Sequence, residues 1–282
     1  MEENTKNQDF LGTEPVGKLL FKLALPAIAA QLINVLYNIV DRVYLGHMKD
    51  VGGLALTGVG VCAPILMIIS AFAALVAMGG APLASIELGK QNREGAERIM
   101  GSCFALQVVL SLVLTAVCLI WNEPLLLLFG ASENTIPYAT QYINVYALGT
   151  IFVQLTLGMN AFISAQGFAK TSMLTTLIGA VCNIILDPIF IFACDMGVRG
   201  AALATVISHT LQFLAHYIST RYFLGKQTYP FSFSLWGKYA AAFLIVFVLV
   251  YLLSGFWLIR WALGAAIGIW ELLRIRKRNA LI

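Results

Sequence analysis

The chain has 282 residues, 60% of them hydrophobic and only 11% charged, with a formal net charge of +4. A soluble globular domain carries about a quarter charged residues, so the composition excludes that class and describes a polytopic membrane protein. Cys62, Cys103, Cys118, Cys182 and Cys194 form no CxxC pair and sit mostly in apolar runs, as small packing residues do rather than ligands or disulfides.

Residues 1–15 are polar, and the start EENTKNQDF lacks a basic n-region. No signal peptide is therefore expected, and the first membrane helix targets the chain. Val16 to Leu25 reads as a short amphipathic lead-in at the interface, ending at Pro26. A bilayer needs about 20 apolar residues per helix. On that measure spans are predicted at about 22–46, 53–80, 99–121, 138–162, 170–194, 199–223, 238–255 and 256–273. The last two are separated only by Ser254, Gly255 and Phe256 and must form a tight hairpin or one broken segment. The expected fold is all-α: a polar tail over 1–15, a six-helix bundle over 16–225, and a C-terminal hairpin with a basic tail over 226–282.

Loop charges orient the spans. With the N-terminus in the cytoplasm, only Arg42, Lys49, Arg199 and Arg260 of the 18 basic residues fall outside. That bias predicts a multi-pass membrane protein with both termini in the cytoplasm. Pro64, Pro82 and Pro188 mark places where a freed backbone carbonyl at membrane depth needs a partner.

The first span is organised around polar residues. Asn34, Tyr37, Asn38 and Asp41 recur at i, i+3, i+4 and i+7 and so share a helix face. A carboxylate in a membrane helix is costly and normally faces a bundle interior or a wet cavity. The fifth span repeats the pattern with Asn183 and Asp187 at i, i+4, followed by Pro188. By helical rise, Asp41, Asp187 and Thr205 of the sixth span all fall about 8–12 Å below the outer face. Carboxylate, amide, hydroxyl and a loosened carbonyl suit Na⁺, while two close, desolvated acids suit a proton instead. The competing reading makes Asp41 and Arg42 an interfacial helix end and Asp187 a lone polar residue. In the fourth span Tyr138, Tyr142 and Tyr146 form a stripe, with Gln141, Asn144 and Asn160 nearby, and packing explains such a stripe more often than ligand binding does. His209 shares a face with Thr205 and Gln212. No nucleotide loop, nucleophile motif or metal-ligand spacing occurs, since TGVG at 57–60 has no following GK[ST]. An enzyme, a cofactor and a nucleic-acid partner are not expected.

At these residues the chain resembles a known family. LGTEPVGKLLFKLALPAIAAQLINVLYNIVDRVYLGHM, then NIILDPIFIF, then GVRGAALATVIS are similar to the multidrug and toxic compound extrusion (MATE) family, in its DinF-like bacterial branch. The resemblance covers about residues 11–223. It implies six helices per lobe, two lobes around a central cavity, and H⁺- or Na⁺-coupled export of amphipathic, often cationic compounds. It further implies that Asp41, Asn183, Asp187, Thr205 and the Ala201 carbonyl surround a cation. Asn34, Tyr37, Tyr142 and Asn160 match positions lining the cavity. A full member carries twelve helices and this chain eight, which points to a truncated or recombined product that pairs with a second half-transporter or a copy of itself. The closing hairpin is similar to the last helices of polysaccharide flippases. Two alternatives follow: a lipid-linked oligosaccharide flippase, and a non-transporting assembly subunit.

Overall fold

A computed structural model describes residues 14–218. The predicted hairpin, the two spans at 238–273 and the first 13 residues lie outside the described residues. The described region contains eight α-helices and a π-helical turn, and no strand: α1 (Val16–Gly46), α2 (Gly52–Gly89), α3 (Arg93–Ile120), α4 (Asn122–Leu128), α5 (Ile136–Leu148), α6 (Thr150–Ala165), α7 (Ala169–Pro188), the turn Ile189–Ala193 and α8 (Val198–Ile218). The all-α membrane bundle predicted from sequence is the fold observed.

Four of these helices (α1, α2, α3, and α7 with its π turn) are long and apolar enough to cross a membrane, and the bent pair α5–α6 adds a fifth if it counts as one span. α8 has the length, at 21 residues, but Arg199, His209, Gln212 and His216 lower its apolarity. Its polar side is covered, with Thr205, Ser208, His209, Gln212 and His216 all buried.

Three details differ from the sequence expectation. Val16–Leu25 is no separate lead-in: α1 runs unbroken through Pro26. The predicted span 138–162 is two helices bent by 60° at Gly149. A side chain at Gly149 would run into the Val206 side chain of α8, so the glycine gives α8 room at the bend. A short helix, α4, follows the third span, with Pro124 in its first turn and Gly130 at φ +94° just beyond its end, the usual Pro-in, Gly-out punctuation. Asn122 at its start donates to Asn144 of α5 at 2.8 Å.

Between apolar helices in lipid, close packing replaces the hydrophobic effect as the driving force, and small residues permit it. α2 illustrates this: Ala55, Gly58 and Cys62 are buried, and a Cβ on Gly58 would sit 2.9 Å from the Tyr138 Cβ. α2 packs against α3, α5 and α6, α1 lies chiefly on α7, and α7 packs on α8. The outer faces carry exposed Leu32, Val35, Leu36, Ile39 and Val43 on α1, as lipid-facing surfaces should. Of the cysteines, Cys62 and Cys118 are buried, while Cys194 is exposed rather than packed inside. At the start of α3, the Asn92 side chain accepts from the Gly95 N–H at 3.1 Å. Asn92→Ala removes that cap and is expected to cost about 1 kcal/mol, read as a lower melting temperature in detergent.

Candidate functional site

The contact of α1 with α7, and of α7 with α8, brings three helices' polar residues to one end of the bundle. Asp187 is fully buried (0% exposed) and Asp41 nearly so (8%). Asn183, one turn before Asp187, donates its amide to Asp187 Oδ1 at 3.2 Å. The charge of Asp41 acts on Asp187, and the charges of both act on Tyr37. On α8 the Thr205 hydroxyl donates to the Ala201 carbonyl at 3.0 Å. Tyr142 of α5 meets Thr205, lies within reach of the Asp41 charge, and stacks on Tyr146 with ring centroids 6.0 Å apart.

The backbone explains why the acid of α7 sits where it does. Pro188 has no N–H to extend the α-helical ladder. The next hydrogen bonds widen, with Cys194 N–H reaching the Ile189 carbonyl at 2.8 Å and Met196 N–H the Phe190 carbonyl at 3.0 Å. Such π turns favour functional sites. This one lets α8 start close by. Tyr44 of α1 packs edge-on against Phe192 of the turn at 6.3 Å, tying the end of α1 to it.

The oxygens are under-satisfied. Asp41 Oδ1, Asp187 Oδ2 and Asn183 Oδ1 are buried without a hydrogen-bond partner. Every ion pair among the described residues involves Glu14, Glu87 or Glu94, and none reaches these acids. Buried polar atoms are nearly always paired, and an unpaired buried carboxylate costs far more than an unpaired amide. Among the described residues no group of three or more His, Cys, Asp or Glu occurs. Two carboxylates, an amide and a hydroxyl are hard oxygen donors, the chemistry that suits a proton or an alkali cation and not a soft transition metal.

The residues expected from sequence divide into two groups. Asp41, Asn183, Asp187, Ala201, Thr205, Tyr37 and Tyr142 belong to the helices and contacts just described, and Asn34, two turns before Asp41, is half-buried. Asn160 stands apart. Its Oδ1 accepts from Ser172 at 2.7 Å and lies 2.8 Å from His216 Nε2. Ser172 is about 22 Å along α7 from Asp187, so Asn160 belongs to the opposite end of the bundle. Asn38, on the predicted polar face, is exposed and turns its amide back to the Asn34 carbonyl at 2.7 Å. Two surface grooves, of about 360 Å³ beside Arg42 and His47 and about 610 Å³ between α2 and α3, include none of the predicted cavity residues. Sequence reasoning left Tyr146 outside the site, although its i, i+4 spacing from Tyr142 was the available signal.

A bundle of apolar helices with two acids buried among them is the architecture of a polytopic membrane protein with a polar interior site. The MatE family model matches residues 26–189, more than half the chain, and the chain belongs to that family. The match includes Asp41, Asn183 and Asp187. The chain is similar to the multidrug export protein MepA of Staphylococcus haemolyticus strain JCSC1435, 28% identical over 194 residues, which cover 69% of this chain and 42% of MepA. MepA of Staphylococcus aureus strain NCTC 8325 is likewise 28% identical, covering 69% and 43%. Among solved structures, a MATE in the bent conformation has a TM-score of 0.70 and 26% identity over 77% of this chain and 48% of its own. An outward-facing multidrug resistance MATE transporter of the MOP superfamily has a TM-score of 0.69 and 26% identity over 75% and 46%. The chain thus spans less than half the length of the curated relatives it matches.

Proposed function

We propose that this chain is one lobe of a cation-coupled antiporter that exports amphipathic, often cationic organic compounds across the bacterial cytoplasmic membrane. H⁺ or Na⁺ is the coupling ion, and both termini face the cytoplasm. The observation carrying this reading is the set of three unpartnered, buried oxygens on Asp41, Asn183 and Asp187. In this reading Thr205 and the Ala201 carbonyl complete the cation's shell, and Asn34, Tyr37 and Tyr142 line the space the substrate enters. The Ser172–His216 contacts of Asn160 separate it from that lining.

Coupling works by mutual exclusion. A proton or Na⁺ neutralises the two acids and draws α1 onto α7, and a cationic substrate loses its counter-charge. Binding of one therefore weakens binding of the other, by the difference in affinity between the two arrangements of α1. A second lobe, from another half-transporter or a second copy, closes the cavity. The reading needs no cofactor and no chemical step on the substrate.

The test is reconstitution. Purified chain in liposomes preloaded with a cationic dye is expected to release the dye only when an inward Na⁺ or H⁺ gradient is imposed. Release that ignores both gradients would refute the coupling. Dye movement by neither the chain nor its pair with a co-expressed complementary half would refute the transport reading itself.

A further inference from the structure

The seam between α6, α7 and α8 holds a second polar group, at the far end of α7 from Asp187. His216 of α8 is 5% exposed. Its Nδ1 lies 2.9 Å from the Gln212 carbonyl oxygen, which only accepts, so Nδ1 carries a proton in every state. Its Nε2 lies 2.8 Å from Asn160 Oδ1 and 3.1 Å from Thr175 Oγ1. Both oxygens have a further hydrogen-bond partner. Thr175 donates to the Ser172 carbonyl at 2.8 Å, and Ser172 donates to Asn160 Oδ1 at 2.7 Å. Nε2 therefore faces the Asn160 acceptor and a Thr175 oxygen that accepts while its own proton stays on the Ser172 carbonyl. That arrangement satisfies a protonated nitrogen and sets the lone pair of a neutral one against oxygen.

A neutral ring fits if the Thr175 hydroxyl swings from the Ser172 carbonyl onto Nε2, or if the Asn160 amide turns over to present its Nδ2. The first breaks the Thr175 bond to the Ser172 carbonyl and the second leaves the Ser172 hydroxyl without its acceptor, so the two charge states differ in hydrogen bonding as well as by a proton. We infer that Asn160, Ser172, Thr175 and His216 form a second proton-binding site, which takes one proton from water onto His216 Nε2 at the bundle end where α6 gives way to α7. The site stands independently of the cation reading at Asp41 and Asp187. Protonation forms one N–H bond and breaks none within the protein.

Burial in general disfavours a charged ring, and the oxygens around Nε2 are what offset it. The charged and titratable groups on the packed helices are few. α6 carries none. α7 carries Lys170 at its exposed start and Asp187 about 18 Å beyond Thr175. α8 carries Arg199 at its far start, His209 about 10 Å before His216, and the adjacent Tyr217. α5 meets α8 at Thr205 and Val206, about 15 Å from His216. α1 touches α8 only slightly, and its charged residues are Lys18, Lys22, Asp41 and Arg42. Asp187 is the only carboxylate on the described α6, α7 and α8, and the side-chain oxygens placed against Nε2 are those of Asn160 and Thr175. Gln212 extends the site along α8, donating to Thr176 at 3.2 Å and packing on Gly179, one turn before Asn183.

Nitrogen-15 histidine NMR of the full chain in detergent micelles tests the assignment, with H216Q identifying the His216 signals. Between about pH 4 and 8, the range in which histidine can switch, His216 is expected to pass from doubly protonated to the Nδ1–H tautomer. N160D, which sets a carboxylate opposite Nε2, is expected to raise the midpoint by at least one pH unit, about tenfold in proton affinity. A ring that stays neutral throughout, a neutral form protonated on Nε2, or a folded N160D chain with an unmoved midpoint would each overturn the inference. The wild-type spectrum decides alone should N160D fail to fold.

Discussion

Asp187→Asn is expected to cut gradient-driven efflux of a cationic dye at least tenfold while leaving the bundle as stable as before, or slightly more so. Tenfold corresponds to about 1.4 kcal/mol, a modest demand on a carboxylate at 0% exposure whose Oδ2 has no partner. The substitution keeps the shape and an acceptor for the Asn183 amide, so the contact at 3.2 Å survives. It removes a buried charge, whose uncompensated desolvation costs several kcal/mol. Activity and stability therefore move in opposite directions, which a merely structural Asp187 would not produce. Efflux from cells expressing the variant, set beside a detergent melting curve, checks both halves. Undiminished efflux would remove Asp187 from the coupling site, and Asp41→Asn is the companion variant for α1.

Gly200→Ala is expected to destabilise the bundle by about 1–3 kcal/mol, the range for forcing an extra methyl into a packed interior. A Cβ there would stand 2.7 Å from the carbonyl carbon and oxygen of Phe190 and 3.0 Å from the Ile191 nitrogen. All three are backbone atoms and cannot rotate aside. Helix propensity pulls the other way, since alanine is favoured over glycine by about 1 kcal/mol in a helix interior. Gly200 is only the third residue of α8, where that gain is small, so the steric term decides the sign. Gly79→Ala is the control: a Cβ on Gly79 meets nothing within 4 Å, and propensity alone should act. The comparison is read from melting temperatures of the three proteins in the same detergent. A Gly200→Ala chain as stable as wild type would mean that the π turn yields easily and does not hold α8 in place.

Much of the bundle was legible in the chain because membrane helices announce themselves by length and apolarity. That Asp41 and Asp187 are both buried was also within reach. Their equal depth followed from counting residues, and an acid in an apolar span has few stable places other than the bundle interior. What the count could not supply was lateral position. Asn160 shares a helix with residues near the bend, and nothing in its spacing says that Ser172 and His216 will claim its amide. The break at Gly149 was hidden for a similar reason, because a glycine in an apolar run reads as a packing site until Val206 is seen beside it. The π turn was foreshadowed by Pro188, but a proline says only that the ladder stops. How it resumes depends on Met196 and Gly197, which reach back to Phe190 and Ile191. α8 shows the limit of hydropathy itself: its polar side is covered by α6 and α7, so its average understates how little of it meets lipid.

The kink between Leu148 and Thr150 has a consequence for biogenesis. Its halves are 13 and 16 residues long, about 20 and 24 Å, each short of a hydrocarbon core about 30 Å thick. Neither arm could cross alone, so the insertion machinery has to admit the two as a single passage. Tallied as two crossings, they would invert everything downstream, sending Asp187 and His216 to the wrong leaflets. Which side of the membrane the second half of the bundle faces thus turns on whether the two arms cross as one.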